Sequence, residues 1–232
     1  MTRKTKKTRK LRKVLLTVCC AALLVCVTIG ATVAYLTSTK TVTNTFTVGN
    51  VEITLDEAEV DANGKELADG SRTSGNQSYH VFPNGTYDKD PTVTVEGGSE
   101  ECYVRILVEV DTDALETAFP QEKYENFYAN GVFLLENLVG GWNASTWPCV
   151  SVNNGVYEFR YVGNKTGAPG VVAKADTDTV LPELFTTVSI PDTVNNTELQ
   201  ALDDLDVVIT AQAIQADGFQ TADAAWEAFK NA

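Results

Sequence analysis

The chain has 232 residues, with 31 acidic and 18 basic side chains, a formal net charge of −13 and one histidine. A surface this acidic repels nucleic-acid phosphates and anionic membranes, which argues against both as partners. A single histidine, His80, leaves multi-histidine metal sites and most histidine-based catalysis without their side chains.

The first thirteen residues, MTRKTKKTRKLRK, hold eight cations and no acid. Val14 to Ala34 then runs without a charge. A basic head, an apolar run and small residues at its end predict a secretory signal peptide over residues 1–34. Thr32-Val33-Ala34 places the cut between Ala34 and Tyr35. The alternative is an uncleaved anchor, because about 20 apolar residues span a bilayer. Beyond residue 34 there are 31 acids and 18 − 8 = 10 bases, a net charge of −21. The sequence therefore predicts an exported protein, free of the membrane after cleavage, with residues 35–232 as one domain.

The elements follow in chain order. Residues 41–55 alternate. Val42, Phe46 and Val48 share one face, and Val51, Ile53 and Leu55 share another after Gly49-Asn50. Period-two alternation rich in Thr and Val predicts strands. Residues 56–90 are polar, with one strand expected at Tyr79–Phe82. Pro91 to Asp111 predicts two strands about a Gly-Gly-Ser turn. In the second, Cys102, Val104, Ile106, Val108 and Val110 face the core, and Tyr103, Arg105, Leu107 and Glu109 face away. Residues 112–140 form a partly helical insertion, interrupted at Pro120 and Asn130-Gly131, whose aromatics are expected in the core. Strands follow at 155–163, 184–191 and 205–216. Thr221 caps a closing helix over 221–230 that presents Ala222, Trp226 and Phe229 on one side. About eight short strands with few helices predict a mainly β sandwich.

Cys102 and Cys149 are the cysteines left after processing. An exported compartment permits a bridge between them, and two separate buried thiols are equally consistent with the sequence. There is no H-E-x-x-H, no G-x-S-x-G and no P-loop. His80 lies in SYHVFP and reads as structural. The acidic triplets at Asp111–Glu116, Asp176–Asp178 and Asp203–Asp206 lack the spacing of an EF-hand loop and read as solvated surface. No catalytic residue, metal ligand or cofactor is expected.

The seam from Gly30 to Glu57 resembles the N-terminus of the TasA/camelysin group of Gram-positive exported proteins. In that group a long leader ends in a G-x-x-x-A-[YF] block cut by a dedicated, SipW-type signal peptidase. The mature chain then continues approximately N-x-F-x-x-G-x-[VLI]-x-[LIV]. Gly30, Ala34, Tyr35, Asn44, Phe46, Gly49, Val51 and Ile53 occupy these positions here. Segments KDPTVTVEGGSEECYVRILVEV, LFTTVSIP and VVITAQAIQADGF follow in the order expected of the group. The resemblance implies a two-sheet antiparallel jelly roll and a role in biofilm matrix fibres. It also implies a donor strand, carried by Val42, Asn44, Phe46, Val48 and Gly49, that completes a neighbour's sheet. An ordinary first strand in the protein's own sheet is the competing reading. Camelysin-like members are described as metalloproteases, and one histidine gives that activity no recognisable site. Three expectations follow: a self-associating structural protein, a secreted binding module as the alternative, and a hydrolase as the least supported.

Overall fold

The computed structural model describes residues 50–75, 77–78, 80–163, 170–202, 205 and 207–230. The elements, in chain order, are β1 (Ile53–Ala58), β2 (Arg72–Thr73), β3 (Thr86–Asp88), β4 (Thr92–Val95) and β5 (Cys102–Val110). Next come α1 (Thr112–Ala118), β6 (Tyr128–Ala129), β7 (Val132–Phe133), β8 (Val139–Gly140), β9 (Cys149–Asn153) and β10 (Val156–Arg160). The chain ends with β11 (Thr179–Val180), β12 (Thr187–Ser189), α2 (Asn196–Gln200), β13 (Val207–Gln215) and α3 (Ala222–Lys230). The protein is mainly β, with three α-helices among the described residues.

Every described pairing is antiparallel. Two four-stranded sheets run in the orders β11-β4-β1-β2 and β13-β5-β10-β9. A three-stranded sheet, β3-β12-β8, and the β6-β7 hairpin complete the set. Val93 and Val95 of the first large sheet share one hydrophobic core with Val104, Ile106, Val108, Tyr157 and Phe159 of the second. The alternation read in β5 is what supplies this face: Cys102, Ile106 and Val108 are fully buried.

The two strands read around Gly97-Gly98-Ser99 exist but do not form a hairpin. β4 belongs to one large sheet and β5 to the other. The connection is pinned to the start of β1 instead. Glu96 N–H donates to the Glu52 carbonyl at 2.9 Å, and the Ser99 hydroxyl accepts from Glu52 N–H at 3.1 Å. Gly98, at φ 87°, makes the left-handed step this crossing needs. Of the strand expected at Tyr79–Phe82, the described residues 80–82 carry none; Phe82 N–H donates to the Tyr87 hydroxyl at 2.8 Å instead of to a neighbouring strand.

The 112–140 insertion is partly helical. Asp111 caps α1 by accepting from Asp113 and Ala114 N–H. Asn130 and Gly131, at φ 52° and 78°, form the two-residue turn of β6-β7. Phe119, Tyr124, Phe127 and Phe133 stack on one another and are all buried, so the aromatic set is core.

The outward face of β5 is not left to solvent at its Cys102 end. α3 lies on it and forms a second, small core of Tyr103, Ala222, Ala225 and Trp226. Thr221 accepts from Ala224 N–H at the helix start.

Candidate assembly edge

A sheet edge is a row of unpaired N–H and C=O groups, and folded proteins blunt it with short strands, charge, proline or bulges. Three of the four edges of the large sheets follow this rule. β2 and β11 are two residues long. β9 is five residues and meets a register irregularity between Glu158 and Phe159 of β10. β13 differs. It holds nine residues, VVITAQAIQ, with no charge and no proline, and pairs in unbroken register with β5 from Val207 opposite Val110 to Gln215 opposite Cys102. Among the described residues β5 is its only sheet neighbour. None of its nine residues is buried, whereas seven of the nine in β5 are.

Ile209, Ala211 and Ala213 point toward the main core but remain partly exposed. Val207 and Val208 are 41% and 52% exposed. At this end a shallow cleft of about 80 Å³ opens between β13 and β1, lined by Leu55, Glu57, Thr73, Lys89, Val207 and Ile209. Its charged wall is internally balanced. Lys89 pairs with Glu57, to which Gln77 also donates at 3.0 Å. Arg72 bridges Asp56 at 2.6 Å and Asp90 at 2.7 Å. The cleft surface is more polar than apolar, and among the described residues its charged side chains are taken up by one another.

A larger depression of about 530 Å³ lies at α1 and the turn after it, lined by Glu116, Gln121, Glu122, Glu125, Pro120 and Tyr128. Burial, reinforced by the Glu116 charge, pushes the Tyr128 phenol above its ordinary value. Among the described residues no group of three His, Cys, Asp or Glu side chains could hold a metal ion there or elsewhere. His80 is exposed, its N–H donating to the Ala62 carbonyl.

Ala34, Tyr35, Val42, Asn44, Phe46, Val48 and Gly49 lie outside the described residues. Cys102 and Cys149 are both free thiols. Cys149 faces Phe159, which faces Ile106, so the cysteines sit two strands and four residues apart. At about 4.8 Å per strand and 3.4 Å per residue that exceeds disulfide reach. The bridge weighed from the sequence is therefore not formed, and each thiol packs separately. Burial pushes Cys102 up to about 11 and also raises Cys149. The β13 edge was missed as a site; its signal was the run of ten residues without charge or proline between Asp206 and Asp217.

Among the described residues no helix is long and apolar enough to cross a membrane. No curated protein and no solved structure matches the chain. One family model does, described as camelysin metallo-endopeptidase, over residues 9–93, a span that includes β1, β2 and β3 and reaches into β4. Metallo-endopeptidases hold their ion with histidine and carboxylate ligands, and the donor set among the described residues, with one exposed histidine, does not fit such an ion. Residues 9–93 are thus similar to the camelysin family model, the family to which TasA/camelysin-like proteins belong.

Proposed function

We propose that this chain is an exported, non-catalytic structural protein, a subunit of an extracellular biofilm-matrix or surface fibre. In this reading the leader is cut after Ala34 by a signal peptidase and the sheets form a jelly roll. The Thr41–Val48 strand of one subunit then completes the sheet of the next. Such a contact does not close on itself and propagates as a filament. The observation that carries the reading is the long, uncharged β13 edge, a feature that soluble monomers avoid. The family match supports it, since the matched span contains residues 9–34 of the leader and the proposed donor strand.

The test is electron microscopy of concentrated protein beside Phe46→Asp, with circular dichroism to confirm folding. Wild type should form filaments and the variant should not, because docking would bury an unpaired charge. Filaments from a folded Phe46→Asp protein would remove this strand as the connector. Filaments from neither would favour a secreted binding module.

A further inference from the structure

We propose that Gln77 and Lys89 join through an isopeptide bond, formed by the chain itself with Glu57 as the proton relay. The proposal stands apart from the fibre reading. It rests on how three side chains meet at the end of β1. Glu57 places its two carboxylate oxygens on two different groups. Lys89 Nζ pairs with Oε2, and Gln77 Nε2 donates to Oε1 at 3.0 Å. An amine and a carboxamide thus share one carboxylate, which is the arrangement that amide exchange needs.

The carboxamide is held at both ends. Val60 N–H donates to Gln77 Oε1 at 2.7 Å, and Gln77 Nε2 also donates to the Ala58 carbonyl at 2.9 Å. Exchanging the oxygen and nitrogen of this amide would turn the oxygen toward two acceptors and the NH2 toward a donor, so its partners fix its orientation. Val60 N–H therefore lies on the oxygen that gains charge when Cδ is attacked. The amine is held too. Lys89 N–H donates to the Thr186 carbonyl at 3.0 Å. The Lys89 side chain is 18% exposed and that of Glu57 12%. The other lysines among the described residues, Lys65, Lys123, Lys174 and Lys230, are 37% to 58% exposed, where water competes for the amine.

The step balances without a co-reactant. Glu57 takes a proton from the Lys89 ammonium, and the freed lone pair attacks Gln77 Cδ. The Cδ–Nε2 bond breaks as Glu57 returns the proton to Nε2. One hydrogen stays on the new Nζ–Cδ amide, and the departing nitrogen leaves with the rest as ammonium. Nothing is oxidised or reduced, and Glu57 ends as it began. The cleft that Glu57 and Lys89 line opens to solvent and lets the ammonium out. The bond closes residues 77–89 into a loop. Strands β2 and β3, which flank this segment, are two and three residues long. A covalent closure there replaces pairing that such short strands cannot supply.

The experiment is intact-mass spectrometry of the purified full chain, followed by trypsin digestion. The expected mass lies one ammonia, about 17 Da, below that of the sequence. Trypsin should fail to cut after Lys89 and should leave a peptide from Thr73 to Arg105 that carries the loss. Glu57→Gln and Gln77→Ala, checked for folding by circular dichroism, should each show the mass of their own sequence and be cut at Lys89. A wild-type chain at full mass and cut at Lys89 would overturn the proposal. So would a loss of one ammonia with Lys89 still cut, because that reports a cyclised asparagine such as Asn84 before Gly85. A loss of one water with Lys89 blocked would place the bond on Glu57 itself and overturn the assignment to Gln77. A Gln77–Lys89 bond in the Glu57→Gln protein would remove Glu57 as the relay.

Discussion

Arg105 carries a charge on the outward face of β5, yet it is 5% exposed. A buried guanidinium is tolerated only when its donors are satisfied. Gln212 accepts from Nε at 2.8 Å and Glu158 from the guanidinium at 3.3 Å, while the Trp226 ring lies 4.3 Å beneath. Arg160 ties the same Glu158 at 2.7 Å and also pairs with Asp223 of α3. Burial by itself would raise the Glu158 carboxyl, but the hydrogen bond and charge of Arg160, with Arg105, outweigh it and hold it below its ordinary 4.5. A depressed carboxylate contributes stability above its unfolded value, and that stability is lost as pH falls through the folded one. Glu158→Gln should therefore cost roughly 3 kcal/mol at neutral pH, having left two cations short of a partner. It should also flatten the acid limb of a urea-midpoint profile below about pH 4.5. An unchanged acid limb would show that Glu158 is not the group that titrates. The two thiols offer a second measurement. Cys149, half-buried near an edge, should label slowly in native protein, and Cys102 only on unfolding. Equal rates at both would contradict the packing of β5. His80 offers a third. Casein cleavage by purified protein should not exceed buffer, and an activity lost both on chelation and in His80→Ala would contradict the non-catalytic reading.

At the scale of elements, the short helix α2 depends on its first turn. Asn195 accepts from Thr197 and Glu198 N–H, and Glu198 reaches back to Asn195 N–H, a complete capping box. Asn195→Ala should cost about 1 kcal/mol in chemical denaturation, the usual worth of such a cap. α3 is held differently, by Trp226, which is 1% exposed in a small core of its own. Trp226→Ala should cost about 3–5 kcal/mol and expose Arg105 and Tyr103; a loss under about 1 kcal/mol would show that α3 is not seated on β5. These elements also mark how far the sequence could be read. β5, β10, β13 and α3 were legible because alternation or a helical stripe names one face by itself. The cover over Arg105 was not legible, because a period-two pattern shows which residues oppose the core and says nothing of a helix arriving from residue 222. The β4-to-β5 connection was misread for a similar reason. Gly-Gly-Ser is turn chemistry, but whether a turn closes a hairpin or crosses between sheets is decided by distant partners, here Glu52 and Asn50. The edge status of β13 is likewise a fact of topology, and only its lack of charge was local.

For the whole molecule the balance of charge sets the conditions of assembly. With residues 1–34 removed, each subunit carries 10 bases against 31 acids, a net charge of −21, so approaching subunits repel one another at long range. The proposed contact itself is uncharged on both sides, Thr41–Val48 and Val207–Gln215. Added salt should then screen the repulsion without weakening the contact. The Debye length falls from about 30 Å at 0.01 M to about 8 Å at 0.15 M. Filament growth, followed by light scattering with microscopy of the end point, should accelerate several-fold across that range. Lowering the pH toward about 4.5, the isoelectric point of the full chain, should act in the same direction, because without its eight leader cations the subunit reaches neutrality only below that value. The gain has a floor, because the Glu158 network begins to lose its ion pairs below about that pH and the subunit loosens. Assembly should therefore be fastest in a window just above it. Growth that slows with salt would mean that opposite charges hold the subunits together, and would move the contact away from the β13 edge.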